Sequence, residues 1–286
     1  MFVKPFSYER AHTLADACDM LRAYDGEARP LAGGQSLLPM INLGLLEVRA
    51  VVDISRLADG GIVEDDGHLR IGALTRHGAL ERDDLVRQRQ PLLSAAARLV
   101  GNIRVRARGT LGGSLAHSDP AAELPLAMTV LGAEYEVTDA HSVRIVPAAE
   151  FSVSYFTTQL RQDELLVSAR VPTLGPGWGW GFVEFSRRPG DFAVVAAAAL
   201  ARCSDGLIVE TRVALAGVAD RPTRLASVEA AVDGVLIGEL DQRVGPMDGM
   251  DPVTDTSASS EYRKRIARVV TVRALTDACR RSQEAA

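Results

Sequence analysis

The residues of this chain best suited to chemistry gather at two glycine motifs that stand far apart. The first is Ala32-Gly33-Gly34-Gln35-Ser36-Leu37 and the second is Thr110-Leu111-Gly112-Gly113-Ser114. A Gly-Gly turn has no Cβ in the way, so its backbone N–H groups can approach a phosphate closely. The hydroxyls of Ser36, Thr110 and Ser114 are additional donors to phosphate oxygens. Two such turns, each running into helix-like sequence, suit the two phosphates of one dinucleotide. Taken singly, each motif reads as well as an unrelated tight turn, and composition and spacing alone do not select a flavin.

Other candidates are weaker. His117 follows the second motif with no nucleophile paired to it in sequence, which suits a structural or ligand-adjacent residue better than a catalytic one. Arg104, Arg106 and Arg108 alternate, so on a strand they would make one face cationic, either solvated or meeting a phosphate or partner. The three cysteines, Cys18, Cys203 and Cys279, form no C-x-x-C pair. This chain alone therefore offers no iron–sulfur or structural zinc site, and buried reduced thiols are expected. No G-x-x-x-x-G-K-[ST] sequence occurs, which excludes a P-loop. Gly175, Gly177, Gly179 and Gly181 imitate part of a dinucleotide fingerprint, but strand-like Phe182-Val183-Glu184-Phe185 follows instead of a helix. That run reads as a linker over Pro172–Gly181, with Trp178 and Trp180 in packing or a partner interface.

The elements that must position these residues follow from periodicity and punctuation. Phe2–Ser7 reads as a strand, Thr13–Tyr24 as a helix with Leu14, Cys18 and Leu21 on one face, and Arg29–Ala32 as a strand entering the first motif. Ser36–Leu43 is a short helix and Val48–Ile54 a strand, giving a β-α-β-α-β unit over about the first 55 residues. Strands are expected at His68–Ala73, Ala133–Thr138, Val143–Val146 and Glu164–Val171, with helices at Pro91–Val100 and Ala121–Leu131. Gly181–Arg187, Ala193–Arg202 and Leu207–Ala216 suggest an antiparallel meander. Arg224–Val232 is a helix and Gln242–Ser259 a polar loop. Ser259 or Ser260 caps a last helix over Glu261–Arg280, with Ile266, Val269, Val270 and Ala274 inward. A division near 175 separates residues 1–175, with subdomains of about 1–55 and 56–175, from an α+β unit at 176–286.

The 286 residues, 47% hydrophobic and 24% charged, are ordinary for a globular chain. A net charge of −5 argues against nucleic acid as the main partner. The longest apolar candidate, Phe192–Ala201, is about half of transmembrane length, and the N-terminus lacks a signal-peptide pattern. A cytoplasmic location is expected.

Nearly end to end, the chain resembles the FAD-binding medium subunits of the molybdenum hydroxylases, the family of aerobic carbon monoxide dehydrogenase and xanthine dehydrogenase. The resemblance rests on Pro5-Phe6-Ser7-Tyr8, on the first motif through Pro39, and on Gly101-Asn102-Ile103-Arg104-Val105-Arg106. It continues through Gly109–His117, Asp119-Pro120-Ala121-Ala122-Glu123, Asp163-Glu164-Leu165-Leu166, Arg187–Ala193 and Glu261–Arg265. It implies an α+β fold: a two-part FAD domain of the PCMH or vanillyl-alcohol-oxidase type, then a small domain of antiparallel sheet and helices. It implies FAD, with its pyrophosphate at Ala32, Gly33, Gly34, Gln35, Ser36 and Leu37 and at Thr110, Gly112, Gly113 and Ser114. His117 lies beside these. Asn102 and Ile103 approach the flavin, Glu123 (or nearby Asp119) meets the adenosine half, and Leu165 or Leu166 touches the ring system. Asp191 and Phe192 belong to a Gly-Asp-Phe/Tyr-Ala segment against the isoalloxazine. Phenylalanine stacks there but lacks the hydroxyl of the frequent tyrosine.

In that family, molybdopterin sits on a large partner subunit and two [2Fe–2S] clusters on a small one. The implied complex has one of each subunit, usually doubled, and electrons leave the flavin for an external acceptor. No catalytic side chain and no metal are expected here. Two other readings stay open: a self-sufficient flavoenzyme of the same fold, and a nucleotide-binding regulatory or assembly protein without redox turnover. Neither the substrate nor the acceptor is legible.

Overall fold

A computed structural model describes residues 4–58, 61–247 and 249–285. The first unit holds β1 (Ser7–Arg10), α1 (Leu14–Ala23), β2 (Ala28–Leu31), α2 (Leu37–Asn42) and β3 (Ala50–Asp53). Its three strands are parallel in the order β1-β3-β2. Thr13 starts α1 with a capping box: its hydroxyl accepts from Asp16 N–H, and the Asp16 carboxylate accepts from Thr13 N–H. Ala17, Cys18 and Leu21 are the buried face of α1. The strand expected over Phe2–Ser7 begins only at Ser7, and Phe2 and Val3 lie outside the described residues.

The second unit holds β4 (Ile62–Asp65), β5 (His68–Gly72), α3 (His77–Arg82), α4 (Asp84–Arg89), α5 (Pro91–Leu99), α6 (Ile103–Arg108), α7 (Leu111–His117) and α8 (Glu123–Leu131). It continues with β6 (Glu134–Thr138), β7 (Val143–Pro147), α9 (Ala148–Phe151), β8 (Ser152–Ser154), β9 (Thr157–Thr158) and β10 (Leu165–Pro172). Five strands form an antiparallel sheet, β4-β5-β10-β6-β7, and β8 pairs with β9. Helix α8 is buried along its whole length and is the centre of this core.

The third unit holds β11 (Trp178–Phe185), β12 (Val195–Ser204), β13 (Leu207–Ala216), β14 (Thr223–Arg224), α10 (Ala226–Val232), α11 (Leu240–Arg243) and α12 (Ser260–Glu284). Its sheet is an antiparallel meander in chain order. One face packs on the α8 core, the other on α12. Ser259 caps α12 by accepting from Tyr262 N–H at 3.2 Å. Among the described residues no helix is long and apolar enough to cross a membrane.

Four expectations are corrected. The arginine run Asn102–Arg108 is a helix, α6, because Asn102 Oδ1 accepts from Arg104 and Val105 N–H and so starts one. Arg104 and Arg108, four residues apart, therefore share a face, while Arg106 turns inward onto Glu81 at 2.9 Å. The second glycine pair sits inside α7 and does not form a turn. The glycine run at 175–181 is not all linker, since β11 already begins at Trp178; a Cβ on Gly179 or Gly181 would overlap the carbonyl oxygens of Ala278 or Ala274 in α12. Val269, expected inward, is exposed. Strand β4 and helices α3, α4 and α9 were not anticipated. They are short, and their apolar periodicity spans at most two turns.

Candidate functional site

The two glycine motifs meet in space. A Cβ on Gly33 would lie 2.9 Å from the Gly109 Cα and would overlap the Arg108 carbonyl oxygen. Gly109 in turn rests against the His77 ring, and a Cβ there would lie 2.8 Å from Nδ1. Gly112 fits under Ala73, whose Cβ would be 2.6 Å from an added methyl. Glycine is thus demanded at these positions by close approach of backbone to backbone and side chain. Gly34 needs it for another reason, a φ of +71°.

The motifs differ in what they offer a ligand. The backbone N–H groups of Gly33, Gly34, Gln35, Ser36 and Leu37 make no hydrogen bond within the described chain. Ser36 stands at the start of α2 with no side-chain cap bond. In the second motif four of the five backbone donors are engaged, and only the Thr110 N–H makes no hydrogen bond within the described chain. Leu111 N–H meets Thr75 O at 2.9 Å, Gly112 N–H meets Ala73 O at 2.8 Å, and Ser114 N–H meets Thr110 O at 3.0 Å. Gly113 N–H meets Thr110 Oγ1 at 3.1 Å, so that hydroxyl serves as the helix cap. The expectation of two equivalent N–H cradles is therefore corrected. The first motif presents a row of five open N–H donors, while the second contributes the lone N–H of Thr110, the bare Cα of Gly113 and the Ser114 hydroxyl.

Both motifs line one cleft of about 1120 Å³, just beyond the roughly 300–1,000 Å³ usual for ligand sites. Ala32, Gly33, Gly34, Gln35, Ser36 and Leu37 line it, as do Asn102, Thr110, Gly112, Gly113, Ser114, His117, Asp119, Glu123, Leu165, Leu166, Asp191 and Phe192. Ile103 does not, and its side chain stands 70% exposed beside Asn102. Leu165 and Leu166 both reach the cleft where the β10–β6 register shifts between Leu166 and Ser168. The third unit supplies Gly190, Asp191 and Phe192, and a Cβ on Gly190 would sit 3.2 Å from the Gly101 carbonyl oxygen. That loop is thereby seated one residue before Asn102.

The titratable groups of the cleft are shifted by burial. His77, which also lines it, falls to about 4, because burial opposes its charged form more than the Thr110 carbonyl near Nε2 favours it. Burial lowers His117, whose ring tilts against Phe156 with centroids 5.1 Å apart. Burial raises Asp119, which accepts Ala121 N–H at 2.8 Å, and pushes Glu123 up to about 7. The α7–α8 connection that carries Asp119 turns through Ser118, a left-handed residue at φ +52°. It is held by its Oγ on Ser152 Oγ at 2.8 Å.

No nucleophile–base pair presents itself in this arrangement. Its chemistry is that of a long binding cleft with open N–H donors at a glycine turn, apolar walls and an aromatic ring, Phe192, at one side. This donor set and the tight glycine packing fit an anionic dinucleotide such as FAD. His77 went unnoticed in the sequence. Only its tertiary contact with Gly109 marks it.

Comparison with known proteins agrees with this geometry. Residues 4–174 match the family model described as FAD binding domain in molybdopterin dehydrogenase. Residues 180–278 match CO dehydrogenase flavoprotein C-terminal domain. The chain is 34% identical to the glyceraldehyde dehydrogenase medium chain of Sulfolobus acidocaldarius, over 96% of this chain and 98% of that one. It is 32% identical to the carbon monoxide dehydrogenase medium chain of Afipia carboxidovorans, over 94% and 95%. Its fold superposes on a chain of carbon monoxide dehydrogenase from Hydrogenophaga pseudoflava with a TM-score of 0.93, at 31% identity, covering 98% and 99%. On cleft, fold and sequence together, the chain belongs to the FAD-binding medium subunits of the molybdenum hydroxylase family.

Proposed function

We propose that this chain is the electron-transferring flavoprotein of a cytoplasmic molybdenum hydroxylase. It takes electrons from [2Fe–2S] clusters of a small partner subunit and passes them to an external acceptor. Substrate is hydroxylated at a molybdopterin centre of a large partner subunit, and the three-subunit unit is doubled. Residues 1–175 form the FAD-binding unit, divided near 55, and residues 176–286 the C-terminal unit.

The observation that carries this reading is the single cleft built from both glycine motifs and the Gly190–Phe192 loop. Bound FAD supplies the exchange between one-electron and two-electron chemistry. The chain's own residues bind and orient. The open N–H row from Gly33 to Leu37 receives the anionic pyrophosphate, and the Ser114 hydroxyl adds a donor across the cleft. Gly33 lets the two walls close on each other, and Gly112 seats α7 under Ala73. Leu165 and Leu166 keep water from the ring system, and Phe192 stacks on it. No side chain needs to act as acid or base.

The test is the flavin content of the full chain, purified with its partner subunits and desalted. Gly33→Val and Gly112→Val should each lower the flavin-to-protein ratio at least about tenfold, since an added side chain enters occupied space and overpacking typically disturbs a site by about 1–3 kcal/mol. Retention of flavin by both folded variants would overturn the pyrophosphate assignment.

A further inference from the structure

One buried carboxyl, Glu123, and two half-buried ones, Asp119 and Glu184, gather near the cleft, and no cation is among the charges that act on the buried one. Glu123, the first residue of α8, is only 5% exposed and lines the cleft. The charges acting on it are Glu184 of β11 and Asp119 of the α7–α8 connection. His117, beside Asp119, is itself shifted towards its neutral form by burial. The other elements packed on α8 carry Arg98, Glu150, Arg170, Arg202, Glu210, Arg212 and Arg224, none of which is among the charges acting on Glu123. Arg212 stands at the far end of α8 beside Gly132, and Arg224 is paired with Glu229 at 2.7 Å.

Glu184 approaches from the third unit. It continues the row Trp178, Trp180, Phe182 along the face of β11 that packs on the α8 core. One of its carboxyl oxygens, Oε2, is buried and meets no partner. Burial pushes Glu184, like Glu123, up to about 7. Two acids from two units thus act on one site, where burial disfavours ionisation of both and outweighs the backbone N–H of Glu123 that favours its carboxylate. A protonated carboxyl donates a hydrogen bond, which a carboxylate cannot do. FAD brings phosphate, ribityl and ring acceptors into the same cleft.

We propose that Glu123 serves the cofactor as a proton-bearing hydrogen-bond donor, kept so by Glu184 across the boundary between the units, and that FAD retention is therefore proton-linked. This rests on the reading of the cleft as the FAD site. Loss of the proton turns a donor into an anion beside an anionic ligand, and FAD leaves.

The experiment follows the fluorescence of released FAD from the assembled complex between about pH 6 and about pH 9, where FAD has no titrating group of its own. The wild-type dissociation constant should rise towards about tenfold per pH unit above neutrality. Glu123→Gln still donates and should give a flat profile. Glu184→Gln removes the opposing acid, so the rise should begin at lower pH. A flat wild-type profile with unchanged circular dichroism overturns the proposal, as does a folded Glu123→Gln protein that keeps the wild-type slope or binds no FAD at about pH 6. If Glu123→Gln does not fold, the wild-type slope and the Glu184→Gln displacement decide. Failure of the FAD assignment itself looks different, namely no flavin retained by the wild type at any pH.

Discussion

His77 shows how much one side chain carries. Its ring is 5% exposed and wedged against Gly109, which in turn meets Gly33. Nε2 lies 2.8 Å from the Thr110 carbonyl oxygen, which only accepts, so Nε2 bears the proton; Nδ1 is buried with no partner. Charging the ring would place a second N–H in a site with no acceptor. The folded protein therefore takes up this proton at about 4, against 6.5 ordinarily. On acidification the unfolded chain binds the proton first. The stability linked to His77 is complete above the ordinary value and is lost as pH falls from there through about 4, by about 3 kcal/mol. Glu123 and Glu184 run the other way: their stabilisation is present at low pH and lost as pH rises through about 7. Urea denaturation of His77→Gln alongside wild type isolates the histidine. Acidification should move the stability difference by about 3 kcal/mol against the wild type, whereas parallel profiles would acquit the ring.

Among the elements, β11 is the most constrained. Its alternate residues Trp178, Trp180 and Phe182 pack on the α8 core, and Arg281 of α12 reaches round to within 3.8 Å of the Trp180 ring centroid. The intervening Gly179 and Gly181 bring the strand backbone directly under α12. A larger residue at 181 would have to lift that helix. Gly181→Val should therefore destabilise by about 3 kcal/mol or more in a denaturant titration, at the upper end of overpacking. Gly238→Ala, where an added Cβ meets nothing within 4 Å, should stay within about 0.5 kcal/mol. Equal effects would remove the helix–strand seat as the reason for glycine in β11.

At the scale of the whole molecule, the cleft is complete only because the third unit lends its Gly190–Phe192 loop to the first two. Phe192 is 65% exposed, so the fold gains little from burying it. Phe192→Ala should leave the melting temperature of the FAD-free protein unchanged and weaken FAD retention about two- to tenfold, the worth of one aromatic contact of roughly 0.5–1.5 kcal/mol. Equilibrium dialysis of the assembled complex measures this, and an unaltered affinity would place the ring elsewhere.

Much of this protein was legible from residue order alone. The antiparallel meander and the final helix showed in local periodicity, because each is long enough for its apolar spacing to repeat. The first unit showed only as a β-α-β-α-β order, with its first strand placed too early and the parallel pairing of its four-residue strands left to the structure. The glycine motifs and the Gly-Asp-Phe segment, read through the family resemblance, pointed to FAD before any contact was seen. Tertiary structure decided what local pattern cannot encode. Gly33 is glycine because Arg108 and Gly109 lie against it, and the open N–H row belongs to the first motif because Ala73, Thr75 and Thr110 take four of the five donors of the second. The α6 arginines form a helix because the Asn102 side chain caps it, overriding their strand-like alternation. His77 and Glu184 acquire their character only by burial beside residues distant in the chain. Hydrogen-bond partners and desolvation are properties of the folded surroundings, and no spacing along the chain records them.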